Sequence, residues 1–260
     1  MLSRIFEYGD DYMNTLQLKN INKHYGINHA LKNFSFTFEN GVYALLGPNG
    51  AGKSTLMNLI TDNLKPDNDG GKILWNGTEI HRLGKEYRKI LGFMPQQQEL
   101  YSNMTAWDFM GYIASLKIIP KAQAKKEIED ALKLVELEDS VNRKIGGFSG
   151  GMKQRLLIAQ TLLGTPELII MDEPTAGLDP KQRVIVRRLT EKLGKDKVVI
   201  VSTHIISDIE SIANDIVMIK QGELIESGTV DKLVSKVKSS EKNLENLYMQ
   251  YYGGNKNVES

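Results

Sequence analysis

The sequence predicts an α/β fold on a mainly parallel sheet, with an antiparallel β region and an inserted helical subdomain. Three observations predict it. Short β-type runs alternate with helical ones along much of the chain, the pattern of a layered α/β protein. The run Gly47-Pro48-Asn49-Gly50-Ala51-Gly52-Lys53-Ser54-Thr55 has the G-x-x-x-x-G-K-[ST] form of a phosphate loop, between the apolar strand Val42-Tyr43-Ala44-Leu45-Leu46 and a helix beginning near Ser54. From about Thr105 to Leu163 the periodicity turns helical before strand signals return, so a helical insertion interrupts the α/β core.

Each element has its own signal. Phe34, Phe36 and Phe38 alternate with Ser35 and Thr37, which predicts a half-buried strand ahead of the one feeding the loop. Ile73-Leu74-Trp75 precedes an Asn76-Gly77 turn, a hairpin signal, and Ile90-Leu91-Gly92-Phe93-Met94 reads as another short strand. Over 122–137, Ala124, Ile128, Ala131, Leu132 and Val135 share one helix face. Strands are expected again at Leu168-Ile169-Ile170-Met171, Val198-Val199-Ile200-Val201 and Ile216-Val217-Met218-Ile219. The expected organisation is one domain: residues 14–100 and 164–237 form the core, 101–163 the helical subdomain and 238–260 a C-terminal extension. The ends, 2–14 and 239–260, are less periodic and read as peripheral, with Tyr248, Tyr251 and Tyr252 as packing residues of a C-terminal helix.

Composition removes several classes of function. The 260 residues carry 33 basic and 32 acidic side chains, so no broad basic field exists and nucleic acid is not an implied partner. Zero cysteines exclude a disulfide framework, a thiol nucleophile and thiolate metal sites, and accord with a reducing cytoplasm. The N-terminal residues lack the apolar core and small-residue cleavage site of a secretory signal. No run of 18 or more apolar residues occurs, so no membrane-spanning helix is expected.

The chemistry follows from residue types and their places. Glycines in the loop let the backbone wrap a triphosphate, so that consecutive N–H groups and the helix N-terminus point at the anion. Lys53 is placed to reach the β- and γ-phosphates and Ser54 to hold Mg²⁺. The apolar strand Leu168-Ile169-Ile170-Met171 ends in Asp172-Glu173-Pro174. At the carboxyl end of a buried parallel strand, Asp172 would stand beside the loop and bind the Mg²⁺ hydration shell. Glu173, facing differently, would accept a proton from the water that attacks the γ-phosphate. Between these elements, Phe148-Ser149-Gly150-Gly151-Met152-Lys153-Gln154-Arg155 opens a helical run. There Ser149 reads as an N-cap, and Gly150 and Gly151 expose N–H groups at the positive end of the helix dipole, a second anion site.

The ordered set resembles the nucleotide-binding domain of the ATP-binding cassette (ABC) transporter family, over roughly residues 16–237. Gly47 to Thr55 is similar to its Walker A motif, Gly92-Phe93-Met94-Pro95-Gln96 to its Q-loop and Phe148 to Met152 to its signature motif. Asp172 and Glu173 resemble the Walker B aspartate and catalytic glutamate, Ala176-Gly177-Leu178-Asp179 the D-loop and Ser202-Thr203-His204 the switch-histidine segment. Tyr25 occupies the place of the aromatic that stacks on adenine. The resemblance implies that Glu173, His204, Lys53 and Gln96 are catalytic. It implies that Ser54, Gln96 and Asp172 hold Mg²⁺. ATP would be bound by Tyr25, by Gly47, Pro48, Asn49, Gly50, Ala51, Gly52, Lys53, Ser54 and Thr55, and by Ser149, Gly150, Gly151, Met152 and Asp179. Of the three consecutive glutamines, Gln96 is favoured over Gln97 and Gln98 because it follows the strand exit directly. The signature departs from the commonest form by having Phe148 and Met152, which removes no catalytic atom but forfeits a polar contact at position 152.

In the family, ATP lies between the phosphate loop of one subunit and the signature motif of another, so the resemblance implies a dimer, homodimer or heterodimer. It also implies a separately encoded transmembrane permease, which would hold the chain on the inner face of the membrane. The segment with Leu100, Tyr101, Met104, Trp107 and Phe109 is where the family docks a cytoplasmic coupling helix; Trp107 reads equally as docking anchor or as core. The stretches around Gly150 and Ala176 resemble exporters of drugs and antimicrobial peptides. The alternative is a soluble ATPase of the same fold acting in translation or DNA repair, whose usual fused second cassette or long coiled-coil insertion this chain lacks.

Overall fold

A computed structural model describes residues 13–68, 71–96, 98–239 and 241–253. Residues 1–12, 69–70, 97, 240 and 254–260 lie outside the described residues, and with them most of the N-terminal segment read as peripheral. The described residues open with a hairpin, β1 (Leu16–Tyr25) and β2 (Asn28–Phe38), followed by β3 (Gly41–Leu46), the phosphate loop and α1 (Lys53–Ile60). Then come β4 (Lys72–Trp75), β5 (Thr78–Glu79), α2 (Ile80–Leu83), α3 (Lys85–Lys89) and β6 (Leu91–Met94). The helical insertion is α4 (Ala106–Leu116), α5 (Lys121–Leu134) and α6 (Gly150–Thr161). The core resumes with β7 (Leu168–Asp172), α7 (Pro180–Leu193), β8 (Val198–Ser202), β9 (Asp215–Lys220), β10 (Glu223–Gly228), α8 (Val230–Val234) and α9 (Leu244–Tyr252).

Two sheets result. The larger has the order β10-β9-β3-β8-β7-β6, and the smaller β2-β1-β4-β5. The five strands β9, β3, β8, β7 and β6 run parallel, and β10 adds an antiparallel edge. All three pairings of the smaller sheet's strands are antiparallel, and β4 and β5 form the hairpin that the Asn76-Gly77 signal predicted: Asn76 and Gly77 have φ of 47° and 80°, the left-handed pair a two-residue hairpin requires.

The parallel strands are buried on both faces, and strand periodicity divides their side chains between two cores. Val42, Ala44 and Leu46 of β3, with Ile169 and Met171 of β7, pack against the helical subdomain. Tyr43 and Leu45, with Leu168 and Ile170, face α1 and the antiparallel sheet. The face predicted for α5 is the buried one, Ile128, Ala131 and Leu132 being 3%, 3% and 1% exposed. No helix among the described residues is long and apolar enough to cross a membrane.

Two strands were not anticipated. In β1 the alternation of Leu16 and Leu18 breaks before Ile21, where the pairing register shifts and Asn20 takes a φ of 50°, so the period-2 signal is interrupted. β10 is an edge strand without a fully buried residue, and its hairpin turn is Gln221-Gly222, with φ of 50° and 83°. The C-terminal segment departs more clearly from expectation. Within 241–253 it is not peripheral, because Leu244 and Leu247 of α9 are fully buried in the same core as β3 and β9.

Phe109 is corrected as well. It is 1% exposed and lies inside the helical subdomain, whereas Tyr101 is 55% exposed. Phe109→Ala should therefore cost about 3–5 kcal/mol by leaving a cavity, and Tyr101→Ala less than about 1 kcal/mol; urea denaturation of the two variants measures the difference.

Candidate functional site

The parallel strands all point their carboxyl ends to one side of the large sheet, where a cavity of about 680 Å³ opens. Asn49, Gly50, Ala51, Gly52, Lys53, Ser54 and Thr55 line it from the loop after β3. Gln96 enters from beyond β6, Asp172 and Glu173 from the end of β7 and Ser202 from the end of β8. Tyr25, 47% exposed at the end of β1, forms the far wall with Asn28, His29 and Lys32.

The loop is built by local constraint. Gly52, immediately before α1, has φ 109°, and a Cβ there would stand 2.7 Å from the Ala30 carbonyl oxygen; only glycine satisfies both demands. Lys53 begins the helix and folds back so that its ammonium donates to the carbonyl oxygens of Gly47 at 2.6 Å and Pro48 at 3.1 Å. Burial pulls its pKa below the usual range, opposed by Glu173 and Asp172. Gly47 and Pro48 thus hold the lysine without lining the cavity.

The two carboxylates part as expected. Asp172 is the last residue of β7 and 8% exposed; burial pushes its carboxyl above the ordinary range, with neighbouring Ser202 opposing. Glu173 leaves the strand in the left-handed region, φ 52°, a strained conformation for a non-glycine residue, and its N–H donates to the Ser202 carbonyl oxygen at 2.8 Å. Its Oε1 accepts from His204 Nδ1 at 2.9 Å. Oε2 of Glu173 and Oγ of Ser202 are buried with no hydrogen-bond partner among the described residues. His204 therefore meets Glu173 and does not itself line the cavity.

Of the three glutamines, the two within the described residues separate by geometry. Gln96 lines the cavity together with the carboxylates, while Gln98 makes reciprocal amide hydrogen bonds with Gln160 of α6, at 2.6 and 3.2 Å. Ser54, Gln96 and Asp172 bring a hydroxyl, an amide and a carboxylate oxygen to one cavity, a hard oxygen set that suits Mg²⁺.

Ser149, Gly150, Gly151, Met152 and Asp179 are absent from that cavity. Ser149 is the N-cap of α6, accepting from the Met152 N–H at 3.2 Å, and Asp179 caps α7 through the Gln182 N–H at 2.9 Å. Sequence reasoning missed Ser202, Asn28, His29 and Lys32 as lining residues; Ser202 had a signal, as the first residue of the switch-histidine segment. It also missed a role for Gln154, whose amide donates to the carbonyl oxygens of Glu173 at 3.2 Å and Pro174 at 3.1 Å, bracing the strained turn from α6.

Fold and site together define a phosphate-loop ATPase with an inserted helical subdomain. Residues 31–176 match the ABC transporter family, and the chain belongs to it. It is 38% identical over 221 residues, 84% of this chain and 72% of the relative, to the uncharacterized ABC transporter ATP-binding protein YxlF of Bacillus subtilis. It is 36% identical to the linearmycin resistance ATP-binding protein LnrL of the same organism, covering 85% of this chain and 71% of that one. Among solved structures, an ATP-binding subunit of an ABC transporter superposes with a TM-score of 0.80 at 27% identity, over 90% of this chain and 98% of the other. A dimeric ATP-binding cassette in a post-hydrolysis state with ADP and Pi superposes with a TM-score of 0.72 at 30% identity, over 82% and 98%.

The glycines of the two anion-binding elements differ in a way stability can measure. A Cβ on Gly150 meets nothing within 4 Å, so Gly150→Ala should leave stability unchanged or raise it by up to about 1 kcal/mol. Gly52→Ala should cost roughly 1–3 kcal/mol through its positive φ and the Ala30 carbonyl. Denaturant midpoints of the two variants test this contrast.

Proposed function

We propose that this chain is the ATP-hydrolysing subunit of a membrane exporter for a drug, peptide or other small molecule. One observation carries the reading: the phosphate loop, Gln96, Asp172 and Glu173 share a cavity from which the second anion-binding element, Ser149 to Met152, is absent. Since Gly150 is exposed and nothing among the described residues lies within 4 Å of the place a Cβ there would take, the α6 N-terminus is available to complete the site of another copy. Two subunits would then close two ATP sites between them. The dimeric cassette among the structural relatives supports this arrangement.

Within each site, Tyr25 would stack on adenine, and Lys53 with the loop amides would neutralise the phosphates. Glu173 would take the proton of the attacking water on Oε2, while Oε1 is held by His204. Gln96 would position that water, and Asp179 would approach the opposite subunit. Ser54, Gln96 and Asp172 would hold Mg²⁺, which when bound supplies charge neutralisation to the phosphate oxygens.

Transport would require a separately encoded permease, holding the chain peripherally on the cytoplasmic face of the membrane. Exposed Tyr101 with half-buried Leu100, Met104 and Trp107 is the surface proposed to meet it; Trp107 also packs on the subdomain core, so it serves both roles. Export is supported by the relative named for linearmycin resistance and by the 30% identical Nod factor export ATP-binding protein I of a Rhizobium strain, which matches 92% of this chain.

Two experiments test the reading. Glu173→Gln keeps size and most contacts but removes the base, so ATP should still bind while steady-state hydrolysis falls about 10²-fold or more; turnover near wild type would sink the assignment. Ser149→Arg should abolish hydrolysis yet leave ATP binding to the monomer intact, and mixing it with Lys53→Ala chains should restore activity at one of two sites. Persistent inactivity of folded, dimeric mixtures would overturn the shared site.

A further inference from the structure

We propose that Tyr252, the last residue of α9, is a positioning residue for the phosphate loop, tying the C-terminal helix to the backbone from which the loop springs. The inference rests on the reading of that loop as the ATP site and extends it to a residue 206 positions away in sequence from its hydrogen-bond partner.

The Tyr252 hydroxyl lies 3.2 Å from the Leu46 carbonyl oxygen and 3.1 Å from that of Ile219. One proton is thus shared between two acceptors on adjacent strands. Leu46 is the last residue of β3, and Gly47 follows it as the first residue of the loop. The Ile219 carbonyl oxygen presses on the same place from β9, so closely that a Cβ on Gly47 would collide with it. Gly47 in turn accepts from the Lys53 ammonium at 2.6 Å. A continuous run of contacts therefore leads from Tyr252 through Leu46, Ile219 and Gly47 to the charge that would meet the phosphates.

The helix is anchored well enough to act as a strut. Leu244 and Leu247 are fully buried, and the Tyr248 and Tyr252 rings pack with centroids 4.5 Å apart. Lys220 donates to the Tyr251 carbonyl oxygen at 2.7 Å, a cation placed where the helix dipole favours it, and the Tyr251 hydroxyl reaches Glu226 at 3.3 Å. Burial raises the Tyr252 phenol well above its ordinary range, so it remains a donor. Towards its other end, α9 forms a cavity with the His204 segment through Tyr248 and Met249. One helix thereby contacts the root of the phosphate loop and shares a cavity with the segment whose His204 meets Glu173. Leu244 and Leu247 pack the helix into the core, and the Tyr252 hydroxyl adds the directional contact to the strand end.

The test compares Tyr252→Phe with Tyr251→Phe in the full chain, each well below its own melting temperature. Titration with a fluorescent ATP analogue and Mg²⁺ should show affinity weakened roughly 2- to 10-fold by Tyr252→Phe, the worth of one hydrogen bond, and unchanged by Tyr251→Phe. In turnover the loss should fall on KM, with kcat altered less than about twofold. Amide hydrogen exchange without nucleotide should accelerate at residues 47–52 in Tyr252→Phe alone. Wild-type affinity and loop exchange in Tyr252→Phe, or equal changes in both variants, would overturn the strut. Failure of the wild-type chain to bind the analogue would count instead against the ATP reading, and the exchange measurement would still decide the role of Tyr252.

Discussion

The parallel hydrogen-bonded ladder β9-β3-β8-β7-β6 is the constraint on which the rest of the molecule depends. Because these strands run one way, their carboxyl ends arrive together, and everything that follows a strand is delivered to the same edge. The loop follows β3, Asp172 and Glu173 close β7, Ser202 ends β8 and Gln96 lies just past β6. Cross-strand register aligns the ends directly: Asp172 pairs with Ser202, and Leu45 pairs with Ser202 from the other side. The sheet can hold this alignment because both faces are dry, with alternate side chains sent into two separate cores. A shift by one residue in any central strand would exchange the two sets and misplace the site at the same time.

The helical subdomain is held to the sheet by polar contacts as well as by packing. Gln154 braces the turn after β7, Gln160 holds Gln98 beyond β6, and Lys117 donates to the carbonyl oxygens of Leu163 at 2.6 Å and Leu91 at 3.3 Å. Gln154 and Gln160 both belong to α6, the helix whose N-terminus carries Ser149 and Gly150. The element proposed to meet a second subunit is therefore rigidly continuous with two contacts at the first subunit's own site. Movement of α6 would be felt at Glu173 through the Gln154 amide and next to Gln96 through Gln98, which gives the proposed dimer a material route between closure and chemistry.

Features carried by contiguous residues were legible in the sequence. The phosphate loop announces itself because glycines, lysine and serine must stand at fixed spacings for backbone amides to face an anion, and β3, β7 and β8 because two-sided burial makes them unbroken apolar runs. Legibility fell where the pattern was one-sided or interrupted. The bulge at Asn20 hides the period of β1, and the half-exposed edge position of β10 removes its apolar signature. Phe109 and Tyr101 look alike as aromatics beside the Q-loop, and only the packing of α4 against its neighbours sends one inward and leaves the other in solvent.

Side-chain direction was the least legible of all. His204 was placed correctly after β8, yet its contact with Glu173 depends on the left-handed turn at Glu173, which no local preference of glutamate predicts. The same holds at the C-terminus. Three tyrosines within five residues read as packing, and their rings do pack, but what distinguishes Tyr252 is that its hydroxyl ends beside two carbonyl oxygens contributed by β3 and β9. Those partners are set by the sheet order, which places β9 beside β3 although the chain between them passes through the whole helical subdomain. A short helix far along the chain therefore reaches the edge that carries the phosphate loop, because the parallel ladder brings that edge to it.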